Sequence, residues 1–419
     1  MLRSIEAIAA RISAFFLQSE SQPVAASQAA YAGQMATGTL NIPVAQPDTD
    51  ALIGHKTIER GRYLARQGLW SHLSAEMAAA DTAGDTTPCG QSITELLAFG
   101  ARSDVVLAVE HALSDGKAIT DYDLLCGISE LESEMNDHPG DPMIALVVAL
   151  AHIDLAWAWR GKTPEAKLPR LHRSRCAAHF DRASVILAEC RELAKNSPAI
   201  AAGDCALLAG HRTANARAAD KFETLISLDP HNHRHMRVMG AHLLPRFFGS
   251  YEKLENQALR MAAQTQAVWG AGGYTWVQFD AIAQDDEACA RVDVDYFLDG
   301  LRDIVARRPD QETINLLAAY CAITLKNRMG RNEKADRARQ RICDAADWLI
   351  RDHLTELHPL IWAHAANGFN NSLRVSSAER FAALGHRDAL RAIGNLFREE
   401  LRSGLNVTFT PSGLQLSSN

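Results

Sequence analysis

The chain has 419 residues, with 43 Lys and Arg against 50 Asp and Glu, for a formal net charge of −7. That length is too great for one compact core and implies about 2–3 domain-sized units, or one long repeat array. The mild negative charge excludes a whole-molecule electrostatic footprint for DNA. The eight cysteines form no C-x-x-C pair and sit mostly in Ala-rich, helical contexts, which in a chain this long fits a reducing compartment rather than a disulfide framework. Ala is abundant while Val and Ile are sparse, a mix that favours helix over strand.

Residues 1–17 read as an amphipathic helix, because Leu2, Ile5, Ile8, Ile12, Phe15 and Phe16 recur at spacings of three and four. Glu6 and Arg11 interrupt the apolar run, so no secretory signal is expected and the location expected is cytoplasmic. Residues 18–50, rich in Ser, Gln, Ala, Thr and Pro and without period, read as a flexible linker. From 51 to 403 the apolar spacing is helical. Helices are expected at Ile58–Ala80 with a break or bend at Gly68, and at Ser92–Gly100, Ser103–Leu113 and Asp121–Asn136. Met143–Arg160 is apolar nearly all round, as a helix covered on several sides would be; His152 and Asp154 argue against a membrane span.

Gly161–Pro169 reads as a loop, and a sub-boundary is considered near 161–171. Arg173–Lys195 follows, with Cys176, Phe180, Ala183, Leu187, Cys190 and Ala194 as its seam. Ala199–Ala209 and Thr213–Leu228 form a hairpin between Pro198 and Pro230, a spacing close to the ~34-residue tetratricopeptide period. His233–Leu244, a Pro245–Ser250 loop and Tyr251–Gln264 make the next hairpin. Trp269–Tyr274, with three glycines, reads as a loop. Gln311–Asn327 and Asn332–Asp352 flank a basic turn, and shorter helices are expected at Pro359–Ala366, Ala378–Leu384 and Arg387–Arg402. The tail, 404–419, alternates around Pro411-Ser412-Gly413, which suits a short β-hairpin or an extended tail. The expected fold is therefore all-α, an α-solenoid of antiparallel helical hairpins.

Arg237–Leu254 reads RVMGAHLLPRFFGSYEKL. It resembles the signature of a bacterial family of uncharacterised proteins built from tetratricopeptide-like helical hairpins, with a loop of the form L-x-P-R-W-x-G-S-x-E. Leu244, Pro245, Arg246, Gly249, Ser250 and Glu252 match, and Phe247 stands where that family has Trp. Gly61–Trp70 and Leu96–Val106 are similar to the family's first units. The resemblance implies a tetratricopeptide-like fold and supplies no catalytic residue and no cofactor.

His231, His233 and His235 lie at a helix start, where alternate side chains diverge, so a polar first turn is expected rather than a metal site. His172, Cys176 and His179 share a helical face, but a structural zinc needs four ligands, so core packing is expected and no metal. His152 and Asp154, two apart on a helix, do not face each other and should find partners on other helices. Basic residues surround two turns: Lys167, Arg170, Arg173 and Arg175 at one, and Lys326, Arg328, Arg331, Lys334, Arg337, Arg339 and Arg341 at the other. There is no G-x-x-x-x-G-K-[ST], dinucleotide fingerprint, G-x-S-x-G or H-E-x-x-H, and no catalytic residue is named.

These features lead to a protein–protein interaction scaffold that uses the concave face of a helical array. Arg246, Phe247, Phe248, Phe15 and Phe16 are its candidate contacts with a protein or peptide partner. The N-terminal helix could dock on a partner, on the array or on a membrane surface. A second reading is an enzyme or small-ligand sensor with a polar pocket built from His152, Asp154 and His172, together with Arg246. A third is RNA binding through the basic turns.

Overall fold

A computed structural model describes residues 38–45, 49–114, 121–161, 163, 167–210, 217–247, 249–369 and 377–418. The amphipathic helix expected at the N-terminus, with Phe15 and Phe16, lies outside these residues, as do Phe248 and most of the expected linker. The described residues are mostly helical. They divide into two compact units, one running from Thr49 to Ser250 and one joining residues 38–45 to the chain from Tyr251 onward.

The first unit contains α1 (Thr49–Arg66), α2 (Trp70–Ala83), α3 (Ile93–Ser114), α4 (Asp121–Asp137), α5 (Pro142–Arg160), α6 (Arg170–Leu193), α7 (Pro198–Leu207), α8 (Ala218–Leu228) and α9 (His233–His242). Gly68, at φ 66°, separates α1 from α2. The two helices expected at Ser92–Gly100 and Ser103–Leu113 are one continuous helix, α3. Gly100 lies inside it, where α1 approaches too closely for a Cβ. Asp141 caps α5 by accepting from Met143 N and Ile144 N, with Pro142 at the first helical position, where its missing N–H costs nothing. Ser197 and Pro198 start α7 the same way.

α5 is the centre of this unit. Val147, Val148, Ala149, Ala151 and Ala156 are fully buried, because α3 covers one side and α6 another. Each large aliphatic side chain buried there contributes about 1.5–3 kcal/mol. The sub-boundary considered near 161–171 is not a break in packing: α6, beyond it, lies along α5 for most of its length. The two helices of the hairpin expected at His233–Leu244 and Tyr251–Gln264 belong to different units.

The second unit contains β1 (Leu40–Asn41), α10 (Tyr251–Gln264), α11 (Gln266–Trp269), α12 (Gly272–Gln284), α13 (Asp286–Arg291), α14 (Val294–Arg307), α15 (Gln311–Ala319), α16 (Glu333–Cys343), α17 (Ala345–Trp348), α18 (Pro359–Asn367), α19 (Ala378–Leu396), α20 (Arg398–Arg402), β2 (Leu405–Thr410) and β3 (Gly413–Ser418). The loop expected at Trp269–Tyr274 is instead a tight break at Gly270, φ 57°, between two helices. Gly272 and Gly273 belong to α12, where a Cβ would press on Ile304 or on Thr265 and Ala262. α15 continues into a π-helical turn at Tyr320–Thr324, closed by Leu325 N donating to Tyr320 O, and α17 runs into a second at Leu349–His353.

The tail is a hairpin. β2 pairs antiparallel with β3, Val407 opposite Leu416, and β1 adds in parallel with Leu40 opposite Val407. Residues 38–45, assigned to the linker by composition, are therefore ordered against this unit. Thr39 N donates to Asn406 Oδ1 at 3.0 Å, and Ala45 N to Leu357 O at 2.9 Å. The signal missed was Leu40-Asn41-Ile42, a strand too short to show a period.

Candidate functional site

Three polar side chains expected to share a pocket take three separate sets of partners. His152 and Asp154 leave α5 in different directions, as residues two apart on a helix must. His152 Nε2 lies 2.9 Å from Glu132 Oε1 on α4, and its Nδ1 lies 2.9 Å from His179 Nδ1 on α6. Asp154 Oδ2 accepts from Arg102 Nε on α3 at 2.7 Å. His172 donates from Nδ1 to the Trp159 carbonyl at 2.9 Å and sets its ring edge-on to that indole.

The His152 set is a continuous hydrogen-bonded chain. Arg182, one turn beyond His179 on α6, donates from Nε to Glu132 Oε1 at 2.8 Å. Because Glu132 accepts the His152 Nε2 proton, neutral His152 has its lone pair at Nδ1, and His179 Nδ1–H donates to it. Burial pushes both imidazoles down, His179 to about 4 with His152 and Arg175 adding to the effect. Burial pushes the Glu132 carboxyl up, but the bonds from Arg182 and His152 outweigh it and hold the group below its ordinary range. The bonds of this chain run among its own members, across three helices. It ties α4, α5 and α6 together. Arg182 could have been found from its i+3 spacing to His179; Glu132 could not, because its contacts cross between helices.

The Arg102–Asp154 pair is buried, with 5% and 11% of the side chains exposed. Burial pushes the Asp154 carboxyl up, and the Arg102 guanidinium opposes it. The histidine triplet scatters. His231 is exposed, His233 is buried, and His235 Nε2 pairs with Asp229 at 2.9 Å. Among the described residues no three His, Cys, Asp or Glu side chains converge as a metal set. Arg246 is exposed, its guanidinium 5.0 Å from the Phe247 ring centre; Phe247 is half-buried against His242. Glycine is required at 249 because a Cβ would overlap the Leu243 carbonyl oxygen.

The basic turn near residue 330 is less basic than its sequence. Arg339 is wholly buried and bonds Asp286, Asp336 and the Arg328 carbonyl. Arg328 reaches the Gln284 carbonyl, Arg337 pairs with Glu333, and Arg341 pairs with Asp295. Arg339 and Arg341 are thus joints between helices, while the Arg337–Glu333 pair lies within α16.

The second unit holds a cleft of about 560 Å³ bordered by both π-helical turns, α16, α18 and α19. Its apolar lining comes from Ala322, Ile323, Ile350, Ala392 and Leu396, which are buried or half-buried. Exposed Lys326, Asp344 and Arg391 border it, with Arg391 bonded to Asp388 at 3.1 Å. A π-turn widens the helix and shifts the residues after it around the axis, and residues of both π-turns line the cleft. The burial of Cys321 and Cys343 pushes both thiols up, Cys343 to about 12, so neither is an activated nucleophile.

Pro142–Arg160 has the length and apolar composition of a membrane span, but 72% of its apolar window is buried inside the protein. No protein-family model, curated protein or solved structure matches the chain.

Proposed function

We propose that this chain is a cytoplasmic protein-binding scaffold of tetratricopeptide-like helical hairpins forming an α-solenoid, and that the cleft between the two π-turns receives apolar side chains of a peptide segment of its partner. The observation that carries this reading is the contrast between the cleft and the polar interior. The buried imidazoles His152 and His179 bond each other, and His152 bonds half-buried Glu132, itself held by Arg182. The cleft instead offers apolar surface bordered by charges of both signs, the pattern of a peptide groove. Consecutive helices α7, α8 and α9 pack in sequence order, as hairpin units do, which supports the solenoid reading.

The enzyme or sensor reading drew on convergence of His152, Asp154, His172 and Arg246, and their separate partners give it no support. The test is a photo-crosslinking amino acid placed at Ala392 in the cleft, and at exposed Asp299 as control, in the full chain expressed in its host. A discrete partner captured from position 392 and not from 299 is expected. The same products from both positions, or none from 392, would sink the proposal.

A further inference from the structure

The start of the second unit contains a smaller cleft, of about 200 Å³, between α10, α12 and α13. It is separate in chemistry from the groove at the π-turns. Leu254, Ala288 and Val292 give it buried apolar walls. Its polar lining includes two carboxylates, Glu252 and Glu255, and the Gln278 amide. Glu255 accepts from Tyr274 Oη at 2.9 Å and from Gln278 Nε2 at 2.8 Å, both at Oε2, with a longer 3.1 Å contact from Tyr274 to Oε1. A carboxylate has about four lone-pair directions, so Oε1 retains capacity for a further donor.

Gln278 supplies the independent observation. It lines the same cleft, is 2% exposed, and spends its amide nitrogen on Glu255, which fixes its amide orientation. Its Oε1 is then buried with no donor. An unsatisfied buried carbonyl costs about 1–3 kcal/mol and calls for an explanation, such as a donor that arrives from outside. Burial is also the main reason the Glu255 carboxyl sits above its usual range, against the bonds from Tyr274 and Gln278; an incoming cation would offset that penalty.

The charge balance favours a cation over a neutral donor. Glu252 and Glu255 both line the cleft, and the one cationic lining residue, Arg291, is held by Glu287 at 2.6 Å and lies over the Tyr251 ring. A calcium ion takes about 6–8 oxygen ligands, more than the cleft gathers. An alkyl ammonium fits both halves of the lining, its head on the acceptors and its stem on Leu254, Ala288 and Val292.

We propose that this cleft binds a primary alkylammonium group, with Glu255 Oε1 and Gln278 Oε1 as the acceptors of its N–H bonds. The site does not depend on the protein-binding reading, since either a free amine or a lysine side chain carries this chemistry. The experiment titrates the full chain by calorimetry with n-butylammonium chloride, with its neutral analogue n-butanol, and with a short peptide bearing one central lysine. The variants are Glu255→Gln, close in shape, and Gln278→Met, which removes the carbonyl and leaves the charge. Saturable binding of an ammonium probe is expected, with no binding of butanol and at least about tenfold weaker binding in both variants, as loss of a charge-assisted bond implies. Butylammonium binding as tightly as the peptide assigns a free amine; binding of the peptide alone assigns a lysine side chain. Either supports the site. No saturable binding of either ammonium probe, or undiminished binding in a folded variant, overturns it.

Discussion

Gly61 on α1 and Gly100 on α3 bring two helix backbones into direct contact. A Cβ on Gly61 would overlap the carbonyl oxygen of Leu97, and a Cβ on Gly100 would overlap that of Ile58. Each glycine thus faces the residue one turn before the other, and neither obstacle is a flexible side chain. Gly61→Ala and Gly100→Ala should each destabilise the protein by about 1–3 kcal/mol or more, through forced separation of the helices. Gly54, also on α1, meets nothing within 4 Å at its Cβ position. Gly54→Ala should raise stability by roughly 0.5–1 kcal/mol through helix propensity. Urea denaturation of the three variants checks both signs, and a similar loss in all three would refute the contact.

Protonation of the buried imidazoles should weaken the fold in acid. The folded pKa of His179 lies near 4, below its ordinary 6.5. The stability tied to the neutral ring is thus present above pH 6.5 and lost as pH falls from there toward 4. For this group the loss between pH 8 and pH 5 is about 2 kcal/mol, and His152, shifted the same way, adds to it. Glu132 is held low, so its contribution falls away only at still lower pH. Chemical denaturation across pH 8 to 5 should show the decline, and His179→Gln should flatten it. An equal slope in that variant would place the acid sensitivity elsewhere.

Breaking the Arg102–Asp154 pair should cost more than removing it. Asp154→Asn leaves a buried guanidinium without its counter-charge, at about 3–5 kcal/mol, whereas Arg102→Met with Asp154→Leu should lie within about 1–2 kcal/mol of the parent. Melting temperatures of the single and double variants decide this; a double variant as unstable as Asp154→Asn would mean that the pair itself holds the fold.

The sequence made the helices readable where caps and one-sided apolar stripes agree. Gly68 divides α1 from α2 as its position suggested, and Pro198 marks the start of α7. It failed where burial removes the stripe. α12 has Tyr274, Trp276, Val277, Phe279 and Ile282 buried all around it, so no period survives, and its leading glycines looked like a loop. α13 and α14 escaped notice in an acidic stretch, although Asp285 and Asp293 are both N-caps accepting from the third residue on. The candidate sites were less legible than the helices. Charges that read as a basic patch close onto carboxylates brought from 46 to 53 positions away, as Arg341 and Arg339 do. Glu255 and Gln278 likewise meet only through the packing of α10 on α12.

The central claim is that the cleft between the two π-turns binds a partner, and affinity for that partner tests it most directly. Ala392 is half-buried in the lining, so Ala392→Arg fills the cleft from α19 without removing a core contact. Titration of the captured partner against the parent chain and this variant should show at least about a tenfold loss, as blocking a central apolar pocket does, with an unchanged melting temperature. Undiminished affinity in a folded Ala392→Arg protein would contradict the account.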